Sequence, residues 1–149
     1  MSRPKAQTAH LMASPDDVEA QFYDALREGD VDKLMAVWYD DDEVICVHPG
    51  GPRVVGPRAI RAAFEAIFSN GVIAVQAEQV RRLQGLGSAV HSVVERISVE
   101  TTEGRQSGFV LATNVYLKTA QGWRLVAHHA SPGSAEELSE ITTAPSVLH

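Results

Sequence analysis

The chain has a single cysteine, Cys46, so no intrachain disulfide can form and no cysteine-based metal cluster can be built. Basic residues are in the minority: Lys+Arg 13 against Asp+Glu 19 leave a net charge of −6. With no basic cluster, that balance argues against a nucleic-acid partner. No apolar run approaches the ~20 residues of a membrane span, and Met1–Ser14 lacks the apolar core of a signal peptide. The expectation is a cytoplasmic protein with no membrane partner. Internal repeats and low-complexity tracts are absent. No aspartate follows Asp42, so any acid carried by the second half of the chain must be a glutamate. What remains is ordinary globular material: 149 residues, 44% hydrophobic and 21% charged. That is enough for one domain, burying roughly 68–70% of its unfolded surface.

The pattern predicts helices first and strands afterwards. Ser14, Pro15 and Asp17 make an N-cap, and Val18, Phe22, Ala25 and Leu26 form one apolar stripe that Gly29 ends. Asp30 caps a second helix whose Val31, Leu34, Met35 and Trp38 share a face. A third starts at Gly56-Pro57, carries Ile60, Phe64, Ile67 and Phe68, and closes at Asn70-Gly71. Between the last two, Glu43–His48 reads as a short strand broken by Pro49-Gly50-Gly51-Pro52. Beyond Gly71 the period becomes extended, giving strands over Val72–Leu83, Ser88–Thr101, Gln106–Lys118 and Trp123–Ser131. Their short connections require antiparallel hairpins. The fold class is therefore α+β, a curved, mainly antiparallel sheet wrapped around three N-terminal helices. Residues 1–14 form a loose arm, 15–133 the single domain, and 134–149 a tail with room for one helical turn from Ser134 before Pro145.

Strict alternation in the last strand puts Trp123, Leu125, Ala127, His129 and Ser131 on one face, with Arg124, Val126, His128 and Ala130 on the other. Both faces carry apolar residues, as do both faces of Ser88–Thr101. A sheet apolar on two sides needs two coverings. The helices supply one and a second subunit would supply the other, so a homodimer through a sheet face bearing Val94, Arg96 or Val126 is expected.

This order of elements resembles the nuclear-transport-factor-2-like superfamily, the SnoaL-like or cystatin-like cone fold, over about Pro15–Pro132. The stretches that carry the likeness are Ala25–Asp30, Val47–Gly51, Val55–Ile60, and Leu111–Tyr116 leading into Gly122–Ser131. The last pair is similar to SnoaL-like bacterial proteins and to the association domain of calcium/calmodulin-dependent kinase II. The resemblance implies a cone with one mouth, lined by the helices and one sheet face. It does not name a reaction, since the superfamily holds isomerases, dehydratases, cyclases, adaptors and oligomerisation modules. The layout also resembles ketosteroid isomerase, and that resemblance implies His48, before Pro49, at the general-base position, Phe22 at the principal oxyanion tyrosine, and Asn114 near the second donor. Phenylalanine cannot donate to an enolate oxygen, which argues against steroid isomerisation.

The residue reading selects His48, His129 and Glu95 as candidate catalytic groups. His48 leaves the sheet beside a glycine-rich turn and suits a general base, unless it only ties down that turn. His129 could contact a ligand or be a satisfied core histidine, and Glu95, mid-strand in an apolar run, could orient its imidazole or form an ion pair. Phe22, Trp38, Tyr39, Asn114 and Tyr116 are candidate binding residues; the aromatics serve equally as core and Asn114 equally as a partner to a neighbouring side chain. Spacing singles out no metal set and no cofactor motif. Three functions follow: cofactor-free acid–base chemistry (isomerisation, dehydration or cyclisation) on a small hydrophobic carbonyl compound, a non-catalytic ligand pocket, or a self-association module.

Overall fold

Ser14 and Gly29 set the limits of the first helix. The computed structural model describes residues 12–134 and 138–142, with the backbone alone at 99–101. In it the Ser14 hydroxyl accepts from the Asp17 amide, and Pro15 opens α1 (Pro15–Glu28). Gly29 closes the helix at φ 67°, where a Cβ would lie 3.0 Å from Val72 Cγ1. The expected apolar stripe of α1 is buried, and so are Glu19 and Tyr23 beside it. Asp30 caps α2 (Val31–Met35), which is shorter than the pattern suggests. Past Ala36 the amides of Val37 and Trp38 bond three residues back, and Leu125 then pairs with Val37 and Tyr39, drawing this segment onto the sheet instead of into another turn. The third helix, α3 (Pro57–Phe68), begins after Gly56 and buries Ile60 and Phe64.

Six strands follow from the rest: β1 (Ile45–Val47), β2 (Arg53–Val55), β3 (Ala74–Gln84), β4 (Ser88–Thr101), β5 (Gly104–Thr119) and β6 (Gly122–Gly133). The sheet order is β2-β1-β6-β5-β4-β3. Only the β1–β6 pair is parallel, because the chain between them contains α3 and the whole meander. The sequence pattern assigns no element to the residues of strand β2. It is three residues between Pro52 and Gly56, too short to show a period.

One face of the sheet packs on the helices around Phe22, Leu34, Ile60, Val93 and Leu125, each at most 1% exposed. Burying each such side chain contributes ~1.5–3 kcal/mol. Met12, counted with the arm, is also fully buried, and its carbonyl accepts from the Trp123 amide at 2.9 Å. Residues 1–11, and residues 135–137 on which the expected helical turn falls, lie outside the described residues.

The alternation expected of β6 fails at one point. Tyr116 pairs with Leu125 but Val115 pairs with Ala127, so Val126 is an extra residue, a β-bulge. Trp123 and Leu125 point inward; beyond the bulge the phase reverses, so His128 and Ala130 point inward and His129 is exposed on the outer face. A second bulge in β3 sets Gln79 and Val80 against Val93 alone, with Gln79 at φ 48°. On the outer face Leu138 lies near Leu111 and Gly133, and Glu140 grips Arg81 through two bonds of 2.6 and 2.7 Å.

Candidate functional site

The helices and the curved sheet enclose a small cone cavity of about 70 Å³. Its walls are apolar, from Phe22, Leu26, Phe64, Ile73 and Ile97 among others. Among the described residues three polar side chains border it: His48 past the end of β1, Glu95 from β4 and His128 from β6. Glu95 and His128 are buried, whereas His48 is half-buried. His48 packs edge-on against Phe64 with centroids 4.9 Å apart, and its Nε2 lies 3.8 Å from Cys46 Sγ.

Behind Glu95 runs a buried polar network. The Tyr23 hydroxyl donates to Glu95 Oε2 at 2.6 Å and accepts from Asn114 Nδ2 at 3.1 Å. Asn114 Oδ1 meets His128 Nδ1 at 2.5 Å. Glu19 Oε2 receives the Tyr116 hydroxyl at 2.7 Å and lies 2.9 Å from His91 Nδ1 and 3.4 Å from Asn114 Nδ2. All seven of these side chains are buried. Glu19 and Tyr23 also border a polar cleft of about 440 Å³ between α1 and β3.

Burial governs the charges. It pushes the Glu95 carboxyl up from 4.5 to about 7; the Tyr23 hydrogen bond opposes this and the nearby Glu19 carboxylate adds to it. Burial pushes His128 down to about 3, with His48 and His129 adding. His128 is thus neutral at physiological pH, and its Nε2, 3.9 Å from Glu95 Oε2, makes no ion pair and no direct hydrogen bond. Burial also lowers His48. Tyr23 and Tyr116 are held well above 10, chiefly by burial, so both keep their hydroxyl protons. The Cys46 thiol, pushed up to about 12 by burial and then by Glu95, is not a nucleophile at neutral pH.

Of the expected site residues, His48, Glu95 and Phe22 border the cone. His129 does not; the Val126 bulge turns it outward and puts His128 in its place. Asn114 and Tyr116 are held within the network. Trp38 and Tyr39 line a different cavity, of about 250 Å³, with Met35, Pro57 and Arg58. Sequence reasoning missed Glu19, Tyr23, His91 and His128 as members. Glu19 and Tyr23 stand i, i+4 on the edge of the α1 stripe, a spacing that could have flagged them. Asp16, Glu19 and His91 bring one donor each within 4.8 Å, yet Asp16 is held by Arg82, and Glu19 by Tyr116 and His91.

Comparison with known proteins agrees with this architecture. A Thiobacillus denitrificans structure, provisionally described as a calcium/calmodulin-dependent protein kinase type II association domain, is 33% identical. The match covers 83% of this chain and 98% of that one, with a TM-score of 0.76. A Streptomyces avermitilis protein of the NTF2-like family, provisionally described as a dehydratase, is 26% identical over 88% of this chain and 98% of that one, with a TM-score of 0.71. A Caulobacter vibrioides protein with a cystatin-like fold, 16% identical over 81% of this chain and 88% of that one, shares the fold at a TM-score of 0.69. A search of curated proteins finds no significant match. The SnoaL-like domain model spans residues 16–135, and the chain belongs to that family, with the NTF2-like, cystatin-like α+β fold.

Proposed function

We propose that the cone is a proton-transfer site for a small, neutral carbonyl compound, with Glu95 as the group that takes and returns the proton. The observation that carries this reading is a buried carboxyl, poised near 7 by its surroundings, on the wall of an apolar cavity. Both of its protonation states are populated near neutrality, as an acid–base shuttle requires. Among the described residues no Lys or Arg borders the cavity, so a charged carboxylate ligand would find no counter-ion from them. The space is about twice that of a liquid water molecule and under half of a cavity that binds benzene, which suits roughly three or four non-hydrogen atoms. A steroid is far larger than this space.

The chemistry balances without a cofactor. The Glu95 carboxylate removes a proton from the carbon next to the carbonyl. The electron pair moves onto the carbonyl oxygen, which accepts a hydrogen bond from an N–H of neutral His48. Glu95 then returns the proton to carbon, completing an isomerisation, or to a departing hydroxyl, completing a dehydration. This moves the base from His48, where the sequence reading puts it, to Glu95, and gives His48 the oxygen-holding part expected of Asn114 or His129, because Asn114 lies behind the cavity and His129 outside it.

The test is α-proton exchange of acetone in D₂O, followed by NMR. The protein accelerates exchange with a rise centred near pH 7, and Glu95→Gln removes about 100-fold or more of that rate. Equal rates for the two proteins would overturn the reading.

Self-association is a second, compatible reading. On the outer face Leu83 is 76% exposed, and Val90 and Leu117 are 38% each. Leu83 and Val90 are paired across β3 and β4, so they form one patch. Val94 is already buried and Arg96 is engaged by Glu78 and Phe109, which moves the expected dimer contact toward that patch. The Thiobacillus relative described as an association domain supports self-association, and the exposed patch is where we place a homodimer contact. The lone, buried Cys46 suits a reducing cytoplasm.

A further inference from the structure

The hydrogen bonds around Asn114 have a direction, and that direction decides where protons sit at the cone. Tyr23 has one hydroxyl proton and donates it to Glu95 Oε2, so toward Asn114, 3.1 Å away, it can only accept. Glu19 Oε2, 3.4 Å from the same amide, also needs a donor. Both neighbours therefore require the NH₂ edge of Asn114 on the α1 side. Turned the other way, the amide oxygen would face the Glu19 carboxylate and leave Tyr23 without a donor. The carbonyl edge must then face β6, where Oδ1 meets His128 Nδ1 at 2.5 Å. A carbonyl oxygen only accepts, so the ring hydrogen of neutral His128 sits on Nδ1 and Nε2 is a bare acceptor.

The same logic fixes the proton of Glu95. Its Oε2 already receives the Tyr23 hydroxyl, and Tyr23 cannot reverse while Asn114 donates to it. When Glu95 is protonated, the acidic hydrogen belongs on Oε1, which bonds to no described residue.

We propose that Asn114 is a positioning residue that sets both protons, holding His128 as the Nδ1-protonated imidazole and, through Tyr23, placing the acidic hydrogen of Glu95 on Oε1. The cone is then bordered by a proton donor, Glu95 Oε1, and a proton acceptor, His128 Nε2. His128 thereby joins Glu95 and His48 as a group able to touch a ligand, and Asn114 acts through it without reaching the cavity. The use of this arrangement rests on the proton-transfer reading; the arrangement itself exists without substrate.

The groups that face Glu95 are few. Tyr23 and Glu19 come from α1, Cys46 and His48 from β1 and the turn after it, and His128 from β6. Strand β3 presents Val75 and Ala77 to this side, and β5 presents Val110. Arg96 and Glu78 pair on the outer face.

The experiment is NMR of the full chain carrying ¹⁵N-histidine and side-chain ¹³C-glutamate. At pH 7 the wild-type His128 ring shows a protonated Nδ1 and a bare Nε2. Asn114→Asp keeps an acceptor for His128 Nδ1 but loses the donor to Tyr23 and adds a like charge. The ring tautomer persists, and the Glu95 midpoint rises by about one pH unit. Asn114→Ala releases the ring into a mixture of tautomers. A wild-type ring protonated at Nε2 overturns the proposal, and so does an Asn114→Ala protein whose ring and Glu95 midpoint are unmoved. If Asn114→Ala does not fold, the wild-type ring and the Asp variant decide. Ketone exchange separates the two ideas. Its failure, with ring and carboxyl behaving as stated, removes the functional reading and leaves the proton placement. Success with the wrong tautomer does the reverse.

Discussion

Replacing Glu95 by glutamine should make the protein more stable, and only at high pH. The folded protein holds this carboxyl at about 7, against 4.5 for an ordinary glutamate. A group raised in the folded state contributes its full share of stability below the unfolded value, and loses it as the pH climbs through the folded one. At ~1.4 kcal/mol per pH unit, ionised Glu95 costs the fold about 3 kcal/mol above pH 7. Glutamine keeps an oxygen to accept from Tyr23 and never ionises. Its amide hydrogens face the cavity with no fixed partner, which returns about 1 kcal/mol. The expected gain is about 2 kcal/mol at pH 8.5 and close to zero at pH 5. Urea unfolding of both proteins at the two pH values measures it, with unchanged slopes confirming the same transition. A gain that is absent at pH 8.5, or equal at both pH values, would refute the reasoning. Stabilisation bought at the expense of proton exchange is the signature of a group kept for function.

Three further outcomes follow from the geometry. Tyr23→Phe removes the bond that pulls Glu95 down, so the carboxyl midpoint in an NMR titration should move above 7. The same variant should lose about 1–3 kcal/mol at pH 8.5 and less at pH 5, where Glu95 is neutral. His48→Ala deletes the edge contact with Phe64 and the N–H offered to a ligand oxygen. Ketone exchange should fall ~10–100-fold, with a stability loss of only about 1 kcal/mol by urea unfolding. Val90→Glu puts a charge in the outer patch: sedimentation should show a dimer for the wild type and a monomer for the variant, with unfolding unaltered.

The fold was legible because its signals are local and redundant. Ser14, Pro15 and Gly29 bracket α1, and an apolar stripe agrees with them; the long β4 is bounded as its period suggests. The site was legible only in part. His48 and Glu95 stand out as polar groups in apolar strands, and both reach the cone. His128 could not be assigned by alternation, because one extra residue at Val126 inverts the phase of everything after it. Nothing in Leu125-Val126-Ala127 marks that position: no glycine, no proline, no break in hydropathy. The bulge lies where β5 and β6 meet around Tyr116, and it shows only in the pairing of the two strands, not in the alternation along one of them. Tyr23 was passed over for the opposite reason. Its neighbour Phe22 fits the apolar stripe, and a tyrosine next to that stripe reveals its partner only once β4 is laid beside α1.

The central claim is a carboxyl poised near neutrality on the wall of the cone. Its most direct test is a ¹³C titration of the glutamate side chains in the folded protein from pH 4 to 9, with Glu95 assigned by comparison with Glu95→Gln. The account predicts a Glu95 midpoint at about 7. A midpoint near the ordinary 4.5 would contradict it.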